Sequence, residues 1–115
     1  MKTGPALAAA VLLAASTASG AQVASQTAKA YSQRLAALTD IQRRGALRHA
    51  ILDSGEACPA VDKAVYQGTY KNLEMWVARC GTTAYGAFIG PDGTVQVSSC
   101  AYLVKVKWPA CRKLD

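Results

Sequence analysis

Residues 73–99 read LEMWVARCGTTAYGAFIGPDGTVQVSS, and this stretch decides the fold. It holds three short runs that are rich in apolar groups and separated by glycine-containing turns, at residues 73–80, 84–89 and 94–99. Such runs, joined by short turns, are typical of antiparallel strands. The turn at residues 90–93 is the clearest, because proline suits the second position of a type I turn and Gly93 accepts left-handed geometry. We therefore predict three consecutive strands.

The first of these strands is apolar on both faces. Its alternating residues form two sets, Trp76, Ala78 and Cys80 on the face that we assign to helices, and Leu73, Met75 and Val77 on the other. A single helical layer covers only one of these faces. Three arrangements stay open: the N-terminal segment wraps the second face, Leu73, Met75 and Tyr85 form an exposed patch for a partner, or the whole core is covered.

The N-terminal half of the chain has helical patterns. Residues 39–42 (TDIQ) match a capping box, which predicts that a helix begins there. Ser54-Gly55 is a typical helix end. Residues 22–38 are an Ala/Ser-rich leader or a loose helix, and it is open whether residues 25–54 form one helix or two.

Two further segments have less definite patterns. Cys58-Pro59 predicts the start of a short helix over Val61–Val65 that ends at Gln67–Thr69. Residues 102–107 alternate in a way that predicts a fourth strand, with a short helix before Pro109 as the alternative. The predicted fold is α+β, with an N-terminal helix or helices packed on a three- to four-stranded antiparallel meander.

The start of the chain has the pattern of a signal peptide covering residues 1–21. Met1–Lys2 is a short positive region, Ala6–Ala15 is apolar, and Ser19-x-Ala21 suits cleavage. The apolar run is shorter than the roughly 20 residues of a membrane-spanning helix. We expect an exported protein, periplasmic or secreted, with no transmembrane anchor after cleavage and with residues 39–115 as a single domain.

Four cysteines lie beyond the predicted cleavage point, at Cys58, Cys80, Cys100 and Cys111. An even number in an exported chain predicts structural disulfides, each contributing roughly 2–4 kcal/mol. Four cysteines allow three connectivities. We favour Cys58–Cys80 with Cys100–Cys111, because Cys80 lies on the face assigned to the helices and the second bridge would clip the C-terminal segment in place.

The chain is basic, with 13 Lys and Arg against 7 Asp and Glu. This balance favours anionic partners such as phospholipid headgroups, acidic glycans or acidic proteins, although charge also serves solubility alone. Arg43, Arg44 and Arg48 form a candidate anion-binding flank on the capped helix. Nucleic acid is not an expected partner of an exported protein.

Residue patterns that support catalysis or cofactor binding are missing from the sequence. His49 is the only histidine, and no Cys-x-x-Cys pair is present, so we expect no metal, haem or other cofactor. No nucleophile motif is present, and the carboxylates are scattered, so we expect no enzymatic activity. We expect His49 to lie at the surface. A thiol at a helix start has a lowered pKa, which leaves a redox role for Cys58 as an alternative.

Four segments between residues 47 and 111 share a characteristic spacing, and they read Leu47-Arg48-x-Ala50-Ile51-x-Asp53-Ser54-Gly55-x-x-Cys58, Tyr70-Lys71-Asn72-Leu73-x-Met75-Trp76-x-x-Arg79-Cys80, Phe88-Ile89-x-Pro91-Asp92-Gly93-x-Val95-Gln96-Val97-x-x-Cys100 and Pro109-Ala110-Cys111. In this spacing the chain resembles an uncharacterised family of small exported disulfide-containing proteins of Gram-negative bacteria. The resemblance covers just over half of the chain. It implies export and a disulfide framework, and it carries no catalytic residue.

The function expected from these features is that of a small exported, non-enzymatic binding or envelope-associated module. Its expected partner is an anionic envelope component or a protein. Two alternatives belong to other classes. One is a secreted enzyme inhibitor that presents residues 101–110, with Lys105–Trp108 as the contact segment. The other is the redox protein that uses Cys58.

Overall fold

A computed structural model describes residues 27–114; the predicted signal peptide and the start of the predicted leader lie outside this range. The elements in chain order are α1 (Thr27–Ala37), α2 (Asp40–Asp53), β1 (Lys63–Tyr70), β2 (Leu73–Cys80), β3 (Thr83–Ile89), β4 (Val95–Ser99) and α3 (Cys100–Lys105). The strands pair antiparallel in the order β1-β2-β3-β4. The predicted α+β fold with an antiparallel meander is confirmed.

Helix α2 begins at the predicted capping box. The Thr39 hydroxyl accepts a hydrogen bond from the Gln42 backbone nitrogen at 3.3 Å, and the Gln42 side chain accepts one from the Thr39 nitrogen at 3.2 Å. Ser54 caps the other end, and Gly55 follows with a φ of 85°. The chain leaves the helical path at Leu38 and Thr39, so residues 27–53 form two helices.

The short helix predicted over Val61–Val65 is wrong, because strand β1 spans residues 63–70. Apolar spacing in this segment fits a helix as well as a strand. Tyr66, Thr69 and Tyr70 favour a strand, however, and pairing with β2 satisfies the backbone groups of the whole segment. Pro59 lies in the loop before β1 rather than in the first turn of a helix.

The C-terminal segment forms the predicted alternative, a short helix. Ser99 caps α3, and its hydroxyl accepts a hydrogen bond from the Tyr102 nitrogen at 3.1 Å. The chain then turns back at Lys107, which has a φ of 62°, and the Trp108 nitrogen donates to the Leu103 carbonyl at 3.0 Å. The sheet therefore has four strands. The strand that joins the three predicted ones is β1, and the C-terminal segment is not part of the sheet.

Both faces of the sheet are covered. The predicted set Trp76, Ala78 and Cys80 packs with residues of α2 in one core cluster, and α1 joins it through Leu35. On the other face, Met75 and Val77 pack with Leu103 of α3 and with residues that follow it, Trp108, Cys111 and Leu114. The second face is therefore covered by the C-terminal segment rather than by the N-terminal one.

The exposed patch considered for Leu73, Met75 and Tyr85 does not form. Met75 is buried under the C-terminal segment. Tyr85 lies on the opposite face, with the helices, and its hydroxyl donates to the Ala57 carbonyl at 2.8 Å.

Both favoured disulfides, Cys58–Cys80 and Cys100–Cys111, are present. All four cysteines lie in the described part of the chain, and none of them is free. The first bridge joins the loop after α2 to the end of β2. The second closes a ring that contains α3. We call the helices α1 and α2 the helical cover of the sheet, and α3 with the residues after it the C-terminal cover. Each cover thus has one disulfide.

Candidate functional site

The three arginines of the predicted anion-binding flank contact main-chain carbonyls. Arg43 donates three such hydrogen bonds at 2.7–3.1 Å, and Arg48 donates one at 2.8 Å. Arg44 lies 3.0 Å from the Asp40 carboxylate and donates to one carbonyl at 3.4 Å. The carbonyls belong to α1, to the link between the helices and to the loop before β1: Leu35, Ala36, Leu38, Val61 and Cys58. These arginines hold α2 to its neighbours, and anion binding by them stays a prediction.

Further positive charge lies at the C-terminal end, where Asp115 is the one acidic residue after Asp92. From Gly93 to Leu114 the chain has no acidic residue. The basic side chains of this segment are all exposed: Lys105, Lys107, Arg112 and Lys113. Three apolar side chains between or beside them are exposed as well: Tyr102, Val104 and Val106. We call these seven residues the C-terminal surface.

Two side chains of the C-terminal segment, Leu103 and Trp108, pack on the sheet beneath the C-terminal surface. The Trp108 ring packs against Phe88 and Tyr70, with ring centroids 5.1 and 5.3 Å apart. Leu103 lies so close to β3 that a Cβ atom on Gly86 would be 2.8 Å from its Cδ1 atom. A Cβ atom at this point of the strand would require the Leu103 side chain to shift.

A bulge in β1 adds a polar link to the same segment. The register between β1 and β2 shifts between Tyr66 and Gly68, so the intervening Gln67 is out of the regular ladder. Its side-chain nitrogen donates to the Ala110 carbonyl at 2.8 Å, and its side-chain oxygen accepts from the Arg112 nitrogen at 2.9 Å. The Gln67 side-chain amide thus makes one donor and one acceptor hydrogen bond with the C-terminal main chain, as the backbone of a neighbouring strand would.

A second candidate region surrounds Glu74 on the helix-covered side of the sheet. The Glu74 side chain is buried, with 5% of its residue surface exposed. One carboxylate oxygen accepts from the Tyr66 hydroxyl at 2.8 Å, and the other accepts from the Thr69 hydroxyl at 2.6 Å. Within residues 27–114 no ion pair includes Glu74. Among residues 27–114, the side-chain hydrogen-bond donors to this buried carboxylate are the two hydroxyl groups.

Glu74 borders an open cleft between α1 and the β1–β2 hairpin. A cavity of about 480 Å³ adjoins another of about 340 Å³, and both are lined by Lys29, Gln33, Thr69 and Glu74. Lys71 and Asn72 line one end. Tyr66 and Trp76 line the other end, with ring centroids 5.5 Å apart. We call this region the Glu74 cleft.

The aromatic end of the Glu74 cleft is held in place by hydrogen bonds. The Trp76 indole nitrogen donates to the Ser32 hydroxyl of α1 at 3.0 Å. An interaction with the Thr69 hydroxyl lowers the pKa of Tyr66, but the hydrogen bond to Glu74, burial and the nearby negative charge raise this pKa, and the net direction is upward. Tyr66 therefore remains a protonated donor to Glu74 at neutral pH. Its stabilising effect is present below the unfolded tyrosine pKa and is lost as pH rises through the folded value.

The sequence did not point to the Glu74 cleft, although one signal was present. In the period-2 pattern of β2, Glu74 belongs to the same set as Trp76 and Ala78, which we had assigned to the buried face. An acidic residue in such a set is uncommon and is normally paired or hydrogen-bonded. Its hydroxyl partners, Tyr66 and Thr69, lie on β1, where the sequence predicts a short helix and its end rather than a strand.

The remaining candidate residues have structural surroundings. His49 is exposed, as expected, and lies 3.1 Å from the Asp53 carboxylate one turn away. Cys58, the candidate reactive thiol, is in a disulfide, is only 3% exposed and lies in a loop rather than at a helix start.

Comparison with family models, with curated proteins and with solved structures finds no match to this chain. Among residues 27–114, no three His, Cys, Asp or Glu side chains converge as a metal site. Nor does that part of the chain contain a helix of the length and apolar character needed to cross a membrane. The C-terminal surface and the Glu74 cleft are therefore the two regions on which a functional proposal can be built.

Proposed function

We propose that this chain is a small exported, non-enzymatic module that associates with an anionic lipid surface of the cell envelope. The observation that carries the proposal is the C-terminal surface, where four exposed basic side chains and three exposed apolar ones share one segment. The disulfide Cys100–Cys111 encloses most of this segment and fixes its shape. Positive charge with adjacent exposed apolar groups is the combination that suits the headgroup region of a lipid layer.

The expected strength of this association follows from the charge. Each Lys or Arg close to an anionic lipid surface contributes about 1 kcal/mol, so the three lysines supply about 3 kcal/mol. Arg112 is not counted, because its guanidinium donates to the Tyr66 carbonyl at 3.3 Å. Partial insertion of Tyr102, Val104 and Val106 adds an apolar contribution. The sum corresponds to reversible binding that weakens as salt screens the charges.

The C-terminal surface is the preferred contact over the flank of Arg43, Arg44 and Arg48. The guanidinium groups of the flank already donate to main-chain carbonyls, and Arg44 is paired with Asp40. Residues 93–114 contain no acidic side chain, and Asp115 follows Lys113 by two residues, so Lys105 and Lys107 have no acidic neighbour in sequence.

Co-sedimentation with lipid vesicles tests the proposal. The purified, disulfide-bonded protein is mixed with phosphatidylcholine vesicles that contain or lack phosphatidylglycerol. Replacing Lys105→Gln and Lys107→Gln together removes two charges from the surface, which predicts about a 30-fold weaker affinity for the anionic vesicles. The control variant, Arg34→Gln with Lys63→Gln, removes the same charge from α1 and β1 and is expected to change the affinity less than about threefold. Equal losses in the two variants, or no anionic preference at all, would contradict the proposal.

An inhibitor function is a second candidate, because the disulfide presents residues 101–110 as a ring on a rigid base. The Trp108 ring packs inward against Phe88, so the contact segment of such an inhibitor would be Lys105–Lys107 rather than Lys105–Trp108. Salt-resistant capture of one enzyme, abolished by the Lys105→Gln and Lys107→Gln variant, would favour this candidate over lipid association. The redox alternative has less support, since Cys58 is buried within its disulfide.

A further inference from the structure

The Glu74 cleft has a chemistry that binding to an anionic lipid surface does not use. We propose that it binds a small zwitterionic group, with the ammonium end at Glu74 and the anionic end near Lys29 and Lys71. This site is separate from the C-terminal surface, since its residues belong to α1, β1, β2 and the β1–β2 turn, with Pro91 from the β3–β4 turn.

The buried carboxylate accounts for the ammonium end. A carboxylate has about four acceptor positions, and the hydroxyls of Tyr66 and Thr69 occupy two of them. Burial of a carboxylate without an opposite charge is costly. None of the cations in the described chain lies within ion-pair distance of Glu74, so a ligand ammonium would supply both the charge and further donors.

The aromatic end of the cleft favours the same group. Tyr66 lies beside Glu74, and ammonium groups are attracted to the faces of aromatic rings. Trp76, which meets Tyr66 edge to face, is 3% exposed and already has the Arg43 guanidinium 6.0 Å from its ring centre, so Tyr66 is the ring offered to a ligand. Tyr66 is 41% exposed, so part of its ring is accessible from the cleft. The hydrogen bond from the Trp76 indole nitrogen to the Ser32 hydroxyl holds the indole in place in the absence of a ligand.

The two lysines account for the anionic end. Lys29 and Lys71 are exposed and line the same cavity as Glu74, and Lys29 is the closer match because the Lys71 ammonium also lies 5.3 Å from the centre of the Tyr70 ring. They would repel a ligand that carries only positive charge, and they would attract an anionic group joined to the ammonium. A zwitterion therefore fits the cleft better than a polyamine or a simple anion.

The size of the cleft limits the ligand. A cavity of about 480 Å³ lies in the range typical of small-molecule sites. A free amino acid and the phosphoethanolamine headgroup of a lipid have the same combination of an ammonium and a nearby anion. The chemistry proposed is common to both, and binding experiments distinguish the two sources.

The test uses calorimetric titration of the full disulfide-bonded protein with three probes: O-phosphoethanolamine, ethanolamine and methyl phosphate. The first carries both charges, and each of the others carries one. We expect O-phosphoethanolamine to bind at least tenfold more tightly than either of the others. Glu74→Gln is expected to remove that advantage over methyl phosphate, whereas the control Glu56→Gln, in the exposed loop after α2, is expected to bind as the unmodified protein does.

A second variant keeps the test valid if Glu74→Gln does not fold. Lys29→Gln with Lys71→Gln changes only exposed side chains and is expected to remove the advantage of O-phosphoethanolamine over ethanolamine. Equal binding of methyl phosphate and O-phosphoethanolamine by the unmodified protein would overturn the proposal. Tighter binding of ethanolamine and O-phosphoethanolamine alike after Lys29→Gln would overturn it too, because the Lys29 ammonium would then be the natural occupant.

Two further arms identify the source of the ligand. Binding of glycine with the same dependence on Glu74 indicates a free amino acid. Glu74-dependent binding to vesicles that contain phosphatidylethanolamine but no anionic lipid indicates a lipid headgroup. Neither arm involves Lys105 or Lys107, so failure of this proposal is distinguishable from failure of the proposed function.

Discussion

The two faces of the sheet are covered by very different structures. One face lies under two regular helices, α1 and α2, whereas the other lies under the six-residue α3 and an extended segment that reaches residue 114. Each cover nevertheless contributes a fully buried side chain, since Ile51 of α2 is 0% exposed and Leu103 of α3 is 1% exposed. A short, mostly irregular cover can therefore exclude water as well as a helical layer does.

The difference lies in what holds each cover. Helix α2 has its own capping box at Thr39, which is a local device. The C-terminal cover depends on contacts that are distant in sequence, such as Gln67 with Ala110 and Tyr70 with Trp108. Helix α3 also has a local cap, at Ser99, and α1 also has a distant contact, from Trp76 to Ser32, so both covers combine the two kinds of contact. We infer that distant contacts matter more for the C-terminal cover, because most of it lies outside a helix.

The largest expected effects come from truncating one buried residue on each side. Ile51→Ala and Leu103→Ala should each lower the free energy of unfolding by about 2–5 kcal/mol, because both leave cavities in a fully buried core. Urea denaturation of the two variants measures this directly. If Leu103→Ala costs less than about 1 kcal/mol, the C-terminal cover is not a real part of the core.

Removing the disulfides, one at a time, is expected to cost about 3 kcal/mol each by loop-closure entropy. The loss should be slightly larger for Cys58–Cys80, with a sequence separation of 22, than for Cys100–Cys111, with 11. Hydrogen exchange on the paired alanine variants distinguishes the two covers. Loss of Cys100–Cys111 should increase hydrogen exchange mainly in α3. An equal increase in α1 and α2 in the same variant would argue against two separately held covers.

Gln67→Ala tests the polar link between β1 and the C-terminal cover. Loss of its two hydrogen bonds is expected to lower the free energy of unfolding by about 1–2 kcal/mol. Gln33→Ala, at an exposed position of α1, is the matched control and should change stability by less than about 0.5 kcal/mol. Equal effects of the two substitutions would mean that the bulge has no role in holding the C-terminal segment.

The smallest expected effect is on the acid dependence of stability. A hydrogen bond from Arg79 is the main cause that lowers the pKa of Asp62 below its usual value, and the Arg79 charge acts in the same direction. Because the folded pKa is lowered, this stabilisation is present above the unfolded pKa and is lost as pH falls through the folded one. Asp62→Asn should therefore flatten the fall in urea midpoint below about pH 4, and an unchanged acid profile would contradict the assignment.

The strands in residues 73–99 were predictable because their signals are local. An apolar run bounded by turn residues marks β2, and the turn at residues 90–93 forms as predicted, with the Gly93 nitrogen donating to the Gly90 carbonyl at 3.0 Å. Strand β1 was not predictable in the same way, since its apolar spacing fits two structures and only pairing with β2 decides between them.

The error in β1 also concealed the Glu74 cleft. Tyr66 and Thr69 reach Glu74 only when they lie on a strand beside β2. The cationic character of the C-terminal segment was visible in the sequence, but its exposure depends on how Trp108 and Leu103 anchor it. For the Glu74 cleft and for the C-terminal surface, the sequence shows which residue types are present. It does not show which of them lie close together in the folded chain.

The disulfide rings have a consequence for proteolysis. Lys105 and Lys107 are exposed, so a trypsin-like protease would reach them readily, but both lie between Cys100 and Cys111. A cut after either lysine adds one water to the mass and leaves the two ends covalently joined. The ring closed by the other disulfide encloses three more basic residues in the same way: Lys63, Lys71 and Arg79. Single cuts at any of these sites therefore nick the domain without dividing it.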